Sequence, residues 1–271
     1  MTGRLDRRAL FTSGAAAALL AASGVSLEAA PQRGGKLRLA VPKPHGLMPG
    51  AMRGAVFNTL TEVAPDGVLR GELASGWTGS SDGRVWDVTL RDGVAFHDGT
   101  LLEAAHVMDM LGQAPELGVA EAAPITGGVR IVLTQPNPQL PYRLADPARI
   151  VARPGMIGTG LYRVDRFDPG RSVFARRVET HFKDGQAGWF DSIEIVVISD
   201  PRVRAEALRE GYVDVAELPL ADGLAGHSDF QFHPSADKMA LAARAEVNLP
   251  RMIGRTGALD DGRIAERWWM A

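Results

Sequence analysis

An α/β fold, with helices flanking a mixed β-sheet, is what this sequence predicts, and three observations carry the prediction. From Arg84 to Leu90, Trp86, Val88 and Leu90 alternate with Val85, Asp87 and Thr89, the period of a strand with one buried face, and a helical pattern follows two turns later. Residues 190–215 read as strand, helix and strand, the order of a crossover unit. Gly158-Thr159-Gly160 runs into alternating strand and not into a helix, so it lacks the helix N-terminus that would hold a phosphate. The 271 residues, 45% of them hydrophobic, are enough to bury a core in one or two domains.

The elements follow in order. Arg4, Arg7 and Arg8 precede an uncharged, Ala-rich run from Ala9 to Leu27, a positive segment and then an apolar one, as in an export signal. Asp6-Arg7-Arg8-Ala9-Leu10-Phe11 is similar to a twin-arginine motif, with Asp6 where Ser or Thr is usual. The run is short and weakly hydrophobic for a span of about 20 residues. Residues 1–30 are therefore expected to be a signal peptide, and the mature chain a periplasmic protein. The sequence has no cysteine, so no acylated cysteine tethers it.

Lys36 to Val41 reads as a short strand after Gly34-Gly35. Residues 42–50 are too rich in Pro and Gly for regular structure, and 51–61 read as a helix with Val56, Phe57 and Leu60 inward. Beyond the strand at 84–90, Arg91-Asp92-Gly93 and His97-Asp98-Gly99 are turns. Thr100 is the expected N-cap of the next helix, in a capping box with Glu103, and Leu102, Ala105, Val107, Met110 and Leu111 form its apolar side. Residues 112–126 show little period and read as a loop with helical fragments. Val129 to Leu133 is a second alternating strand, Gln135-Pro136-Asn137-Pro138 breaks it, a short helix covers 139–144, and 148–152 is a short buried strand. Residues 161–164 and 172–178 form a hairpin across Asp168-Pro169-Gly170, and 190–198 are a strand with Ile193, Ile195 and Val197 on one face. Asp200-Pro201 opens a helix with Val203, Ala207 and Leu208 inward, ended by Gly211. After Gly223 the pattern thins, with strands expected at 230–233 and 239–249.

Read together, these segments resemble the family 5 extracellular solute-binding proteins, the peptide and nickel class of ABC-importer receptors. The resemblance rests on Leu73-Ala74 with Trp77, Asp82-Gly83 with Trp86, Leu90-Arg91, Gly93-Val94 and Phe96-His97-Asp98-Gly99, then Gly158-Thr159-Gly160-Leu161-Tyr162, and Gly211-Tyr212-Val213-Asp214 after a matching helix. Gly71 and Leu161 stand where Pro is usual, and Glu103-Ala104-Ala105-His106-Val107 replaces a usual Thr-Ala-x-Asp-Val. The resemblance implies a periplasmic-binding-protein-like lobe over residues 31–220, in two subdomains, with 221–271 a weakly matching part of the same lobe and no residues for a second, closing lobe. It also implies binding of an oligopeptide or a related small solute without catalysis, in partnership with ABC-transporter membrane subunits. The loop after the first strand lies at the ligand cleft in that family, which makes Lys43, His45, Leu47 and Met48 the candidate ligand-binding residues. The alternatives are a non-transport interaction module and a truncated member that binds no ligand.

Composition argues against other chemistries. The 30 Lys and Arg are offset by 32 Asp and Glu spread along the chain, with no basic run of a nucleic-acid binder. No Gly-x-Ser-x-Gly elbow occurs, and the six histidines lack the i, i+4 spacing or cysteine partners of a familiar metal site, so no catalytic residue, metal or cofactor is expected. Trp77 and Trp86 fall in the strand region and are expected in the core. Trp268 and Trp269, beyond the last periodic segment, are expected to stay exposed and to contact a partner chain or a second copy of this one.

Overall fold

The computed structural model describes residues 31–43, 50–64, 67–219, 224, 228–233, 241–248 and 268–270. Among these residues a seven-stranded mixed sheet and a four-stranded antiparallel sheet dominate. The larger sheet is built on β1 (Lys36–Val41), whose Leu37, Leu39 and Val41 point to one face and Ala40 to the other. β1 pairs in parallel on both sides, with β10 (Ser192–Val197) and β11 (Val215–Glu217). Antiparallel strands complete each flank. β9 (Ser172–Arg177) and β8 (Tyr162–Asp168) follow β10, while β13 (Leu241–Arg244) and β12 (Phe230–His233) follow β11.

Between β1 and β8 the chain leaves this sheet. Helix α1 (Gly50–Val56) covers the Leu37, Leu39 and Ile193 face, burying Met52, Ala55 and Val56. A short hairpin, β2 (Thr61–Val63) with β3 (Leu69–Gly71), then leads to the second sheet, ordered β4 (Ala74–Gly79), β5 (Val85–Leu90), β7 (Gly128–Leu133) and β6 (Val119–Ile125). Helix α2 (Ala104–Gly112) closes its core with Val107, Met110 and Leu111. Trp86 is buried there with its Nε1 donating to the Gly83 carbonyl, and Trp77 packs partly buried against the same core. The short α3 (Leu140–Arg143) follows β7.

The return crossover is β10, α4 (Pro201–Arg209) and β11, passing over β1. Asp200 caps α4 by accepting from the Arg202 N–H at 2.8 Å, and Pro201 takes the first turn, where its missing N–H costs nothing. Gly211, at φ 73°, provides the left-handed residue that stops the helix.

Several expectations change. Residues 119–125 are a strand, not loop: β6 is an edge strand with a register shift between Val119 and Glu121 and with Pro124, so neither face shows clean alternation. The N-cap of α2 is Glu103 rather than Thr100. Its side chain accepts from the backbone of His106, whose Nδ1 accepts from the Glu103 N–H, and Ala104 and Met108 replace exposed Ala105 on the apolar side. Helix α1 ends at Val56 instead of running to 61, because Asn58 and Thr59 are drawn into a buried polar cluster. Residues 148–152 make only a single bridge, Val151 to Asn58. On α4, Val203 is exposed and Arg204 is buried in its stead.

Candidate functional site

In open α/β sheets ligands gather at the carboxyl ends of the parallel strands, where successive connections leave in opposite directions. Here that edge is formed by β10, β1 and β11, and β1 leaves it through residues 42–49 toward α1 while β10 leaves it through Ser199 toward α4. Arg204 holds the edge together. Its Nη1 donates to the carbonyls of Ile198 at 2.6 Å and Ser199 at 3.0 Å, and its Nε to that of Glu217 at 2.6 Å, so three strand-end acceptors are satisfied by one buried guanidinium. Burial lowers the Arg204 pKa from its ordinary value.

Glu217 ends β11 on the same face as Val215, the face that α1 covers. Its carboxylate is half-buried and, among the described residues, makes no hydrogen bond or ion pair, so burial raises its pKa while the Arg204 charge opposes. Of the four residues expected to bind ligand, Lys43 is exposed two residues past β1, while His45, Leu47 and Met48 lie outside the described residues. Lys43 follows β1 and Glu217 ends β11, two adjacent parallel strands of this edge. Glu217 was missed in the sequence because an acidic residue at a strand end reads as a solvated cap.

A second polar assembly joins the two sheets. The Gly158-Thr159-Gly160 segment crosses the carboxyl end of α1, with the Gly160 N–H donating to the Val56 carbonyl at 2.9 Å. Neither glycine has positive φ. What both need is the missing Cβ, which at Gly158 would strike the Val56 carbonyl and at Gly160 the carbonyls of Ala55 and Val56. Gly160→Ala is therefore expected to lower stability by about 1–3 kcal/mol, read as an earlier urea midpoint with unchanged slope. A midpoint equal to that of the wild type would contradict the packing.

All three carbonyls of this segment are taken by two histidines. The His97 backbone N–H donates to Gly158 at 2.9 Å, its Nε2 faces the Gly160 oxygen at 2.8 Å, and the Nε2 of His181 faces the Thr159 oxygen at 2.9 Å. A carbonyl accepts, so both rings carry their proton on Nε2. For His181 the Lys183 N–H donating to Nδ1 at 3.0 Å requires the same tautomer. Burial pushes the His181 pKa down to about 4, opposed by the Thr159 carbonyl, and pushes His97 down in the same direction. Among the described residues the buried His97 Nδ1 has no partner, so protonation there would place an unmatched N–H in the interior.

Behind the segment, Glu72 is fully buried. Its Oε1 accepts from Asn58 Nδ2 at 2.8 Å and Lys183 Nζ at 2.5 Å, and its Oε2 from the Thr59 N–H at 2.9 Å. Lys183 also reaches Glu62 at 3.1 Å, and the Thr159 hydroxyl donates to Asn58 Oδ1. The partners come from positions 58, 72, 159 and 183, which no local pattern relates.

One expected contact residue moves to the interior. Trp268 is 0% exposed and packs in the main core with Val247 and Leu241, so its indole is not available to a partner. An indole has enough apolar area to be drawn under the sheet even where the sequence around it shows no period. Trp269 pairs across β15 (Trp269–Met270) with Asn248 in β14 (Val247–Asn248), and its side chain lies outside the described residues.

This arrangement is that of a periplasmic-binding-protein-like lobe. The solved structure of the PBP AgaA in complex with agropinic acid, from A. tumefaciens R10, superposes with a TM-score of 0.67 at 22% identity, covering 73% of this chain and 47% of that one. Residues 68–230 match the sequence model of the bacterial extracellular solute-binding proteins, family 5 Middle, and the chain belongs to that family. It is 25% identical over 187 residues to the probable D,D-dipeptide-binding periplasmic protein DdpA of Escherichia coli K12, covering 58% of this chain and 35% of the relative. It is 28% identical over 173 residues to the glutathione-binding protein GsiB of the same strain, covering 55% and 33%. The chain thus spans about a third of the length of the curated relatives it matches.

Proposed function

We propose that this chain is a substrate-binding component of an ABC importer, which takes an oligopeptide or a related small solute in the periplasm and does no chemistry on it. Family membership supports the class of function. The observation that carries the site is the carboxyl edge of β10, β1 and β11, where β11 ends on a half-buried carboxylate that is unpaired among the described residues. An ammonium group of the solute is the natural partner for Glu217, since a carboxylate held away from water gains most from a charged donor. Lys43, on the same edge, would take a carboxylate. Relatives named for a dipeptide and for glutathione, both of which carry an ammonium and carboxylates, agree with that pairing.

Export by residues 1–30, with Arg7 and Arg8 as a twin-arginine pair, belongs to the same proposal and concerns residues outside those described. The test uses the full chain expressed with its own N-terminus. Periplasmic recovery is expected, with the precursor held in the cytoplasm in Arg7→Lys/Arg8→Lys. The recovered protein is then titrated calorimetrically with a dipeptide mixture and with glutathione. Saturable binding that Glu217→Gln weakens about tenfold is expected, because one charge-assisted hydrogen bond is worth that much. Binding that is indifferent to Glu217→Gln would remove the assigned site, and no saturable heat with either probe would remove the solute class.

A further inference from the structure

Away from the carboxyl edge, β8 and β9 carry an arrangement that the solute-binding reading leaves unused. Arg163 on β8 is the direct cross-strand partner of Arg176 on β9. Side chains so placed are about 5 Å apart at Cβ, and like charges there oppose the pairing. Arg176 is neutralised by Asp165. Among the described residues Arg163 has neither an ion pair nor a hydrogen bond.

The register shift between Val164 and Arg166 sets Arg166 opposite Phe174, and so on the same face as Arg163, with its guanidinium 5.7 Å from the Phe174 ring centroid. Arg163 and Arg166 differ in their surroundings. Arg163, with Arg176, lines a cavity of about 480 Å³ that also has Arg177, Thr180 and Gly99 in its wall, and Arg166 does not. Arg177 is committed to Asp184 and to the carbonyls of Gly188 and Val178. Glu179 is the carboxylate of the wall.

We propose that this cavity binds a small oxyanion, a carboxylate or a phosphate group, held by Arg163 beside the Asp165-paired Arg176 of the β8–β9 pair. Asp165 already compensates Arg176, so an anion seated at Arg163 gives the second guanidinium of the pair its own fork of charge-assisted hydrogen bonds, the geometry at which arginine excels. Thr180 adds a neutral hydroxyl to the wall. Glu179, in the same wall, works against further negative charge on the ligand. The Arg163 charge reaches His97, where it helps keep the imidazole neutral, so occupancy of the cavity has a reporter in that ring. The site is separate from the carboxyl edge and stands or falls without it.

The test titrates the full mature chain with inorganic phosphate and with acetate, against sodium chloride at matched ionic strength, following backbone amide and His97 ring resonances by NMR. A saturable shift at Gly99, Gly160 and Thr180 is expected, with a rise in the His97 pKa, for one or both anions, and their relative affinities tell phosphate from carboxylate. Arg163→Gln should weaken the response about tenfold or more, while Arg166→Gln, the same charge change on the same face but outside the cavity, leaves it intact. Equal loss in both variants would mean diffuse screening and overturn the proposal. So would shifts that chloride reproduces, or no saturation with either anion. The dispersion of each variant's spectrum shows whether it is folded, and Arg163→Lys, if it keeps part of the response that Arg163→Gln loses, separates charge from packing.

Discussion

Glu72→Ala should remove about 3–5 kcal/mol of stability, a large part of the roughly 5–15 kcal/mol that holds a domain folded. The loss comes less from the missing carboxylate than from what it leaves behind. The Asn58 amide, the Thr59 N–H and one contact of the Lys183 ammonium all point at Glu72, in a place that water does not reach. Lys183 retains Glu62, which softens but does not cancel the effect. Glu72→Gln keeps one acceptor and should cost less than Glu72→Ala. Glu72→Ala combined with Lys183→Met should recover part of the loss, because the second change removes the cation that the first strands. Urea unfolding followed by circular dichroism measures all three. A cost below about 1 kcal/mol for Glu72→Ala would show that the cluster is solvated and that Lys183 turns to water instead.

Acidification should weaken the fold well above the range in which carboxylates titrate, and His181 sets the window. Its pKa is about 4 in the folded protein, against an ordinary value of 6.5. Between these values the unfolded chain binds a proton that the folded chain refuses, so stability rises with pH there. The contribution is fully present above about pH 6.5 and is lost progressively as the pH falls toward 4, up to about 3 kcal/mol for this one residue. His97 is depressed by the same cause and adds to the loss in the same direction. His181→Gln, whose amide N–H can still donate to the Thr159 carbonyl, should flatten the dependence across that window at a modest cost at neutral pH. The carboxylates act lower down. The Thr100 N–H holds Asp98 below the usual range, and Arg130 does the same for Asp87, so their contributions disappear only below about pH 4. Unfolding midpoints equal at pH 7.5 and 5 in the wild type would refute the assignment.

How far the sequence led differs from element to element, and the differences have physical causes. β5 and β7 were legible because each has one face on a core and the other in water, so the side chains had to alternate. α4 was legible at both ends, from Asp200-Pro201 and Gly211, because capping is local chemistry. β6 was not: an edge strand with a register shift and a proline has no face that burial constrains throughout. The inward side of α4 was misread at Val203, since Arg204 is buried for the sake of three carbonyls at the ends of β10 and β11. Trp268 was expected at the surface and lies in the core.

The same division holds for the site. Period, turns and caps, which act over a few residues, determined the fold class from the sequence, and the ordered motifs between Leu73 and Asp214 determined the family. Only the tertiary structure decided what those motif residues do. Gly158 and Gly160 need no special backbone angle, and their requirement appears only where α1 presses on them. His97 and His181 meet on one tripeptide from opposite directions in the chain, and Glu72 finds Lys183 at a separation of 111 residues. A polar group that must leave water takes whichever partner the packed core brings within hydrogen-bond reach, and that choice is made in space, after the local rules have been satisfied.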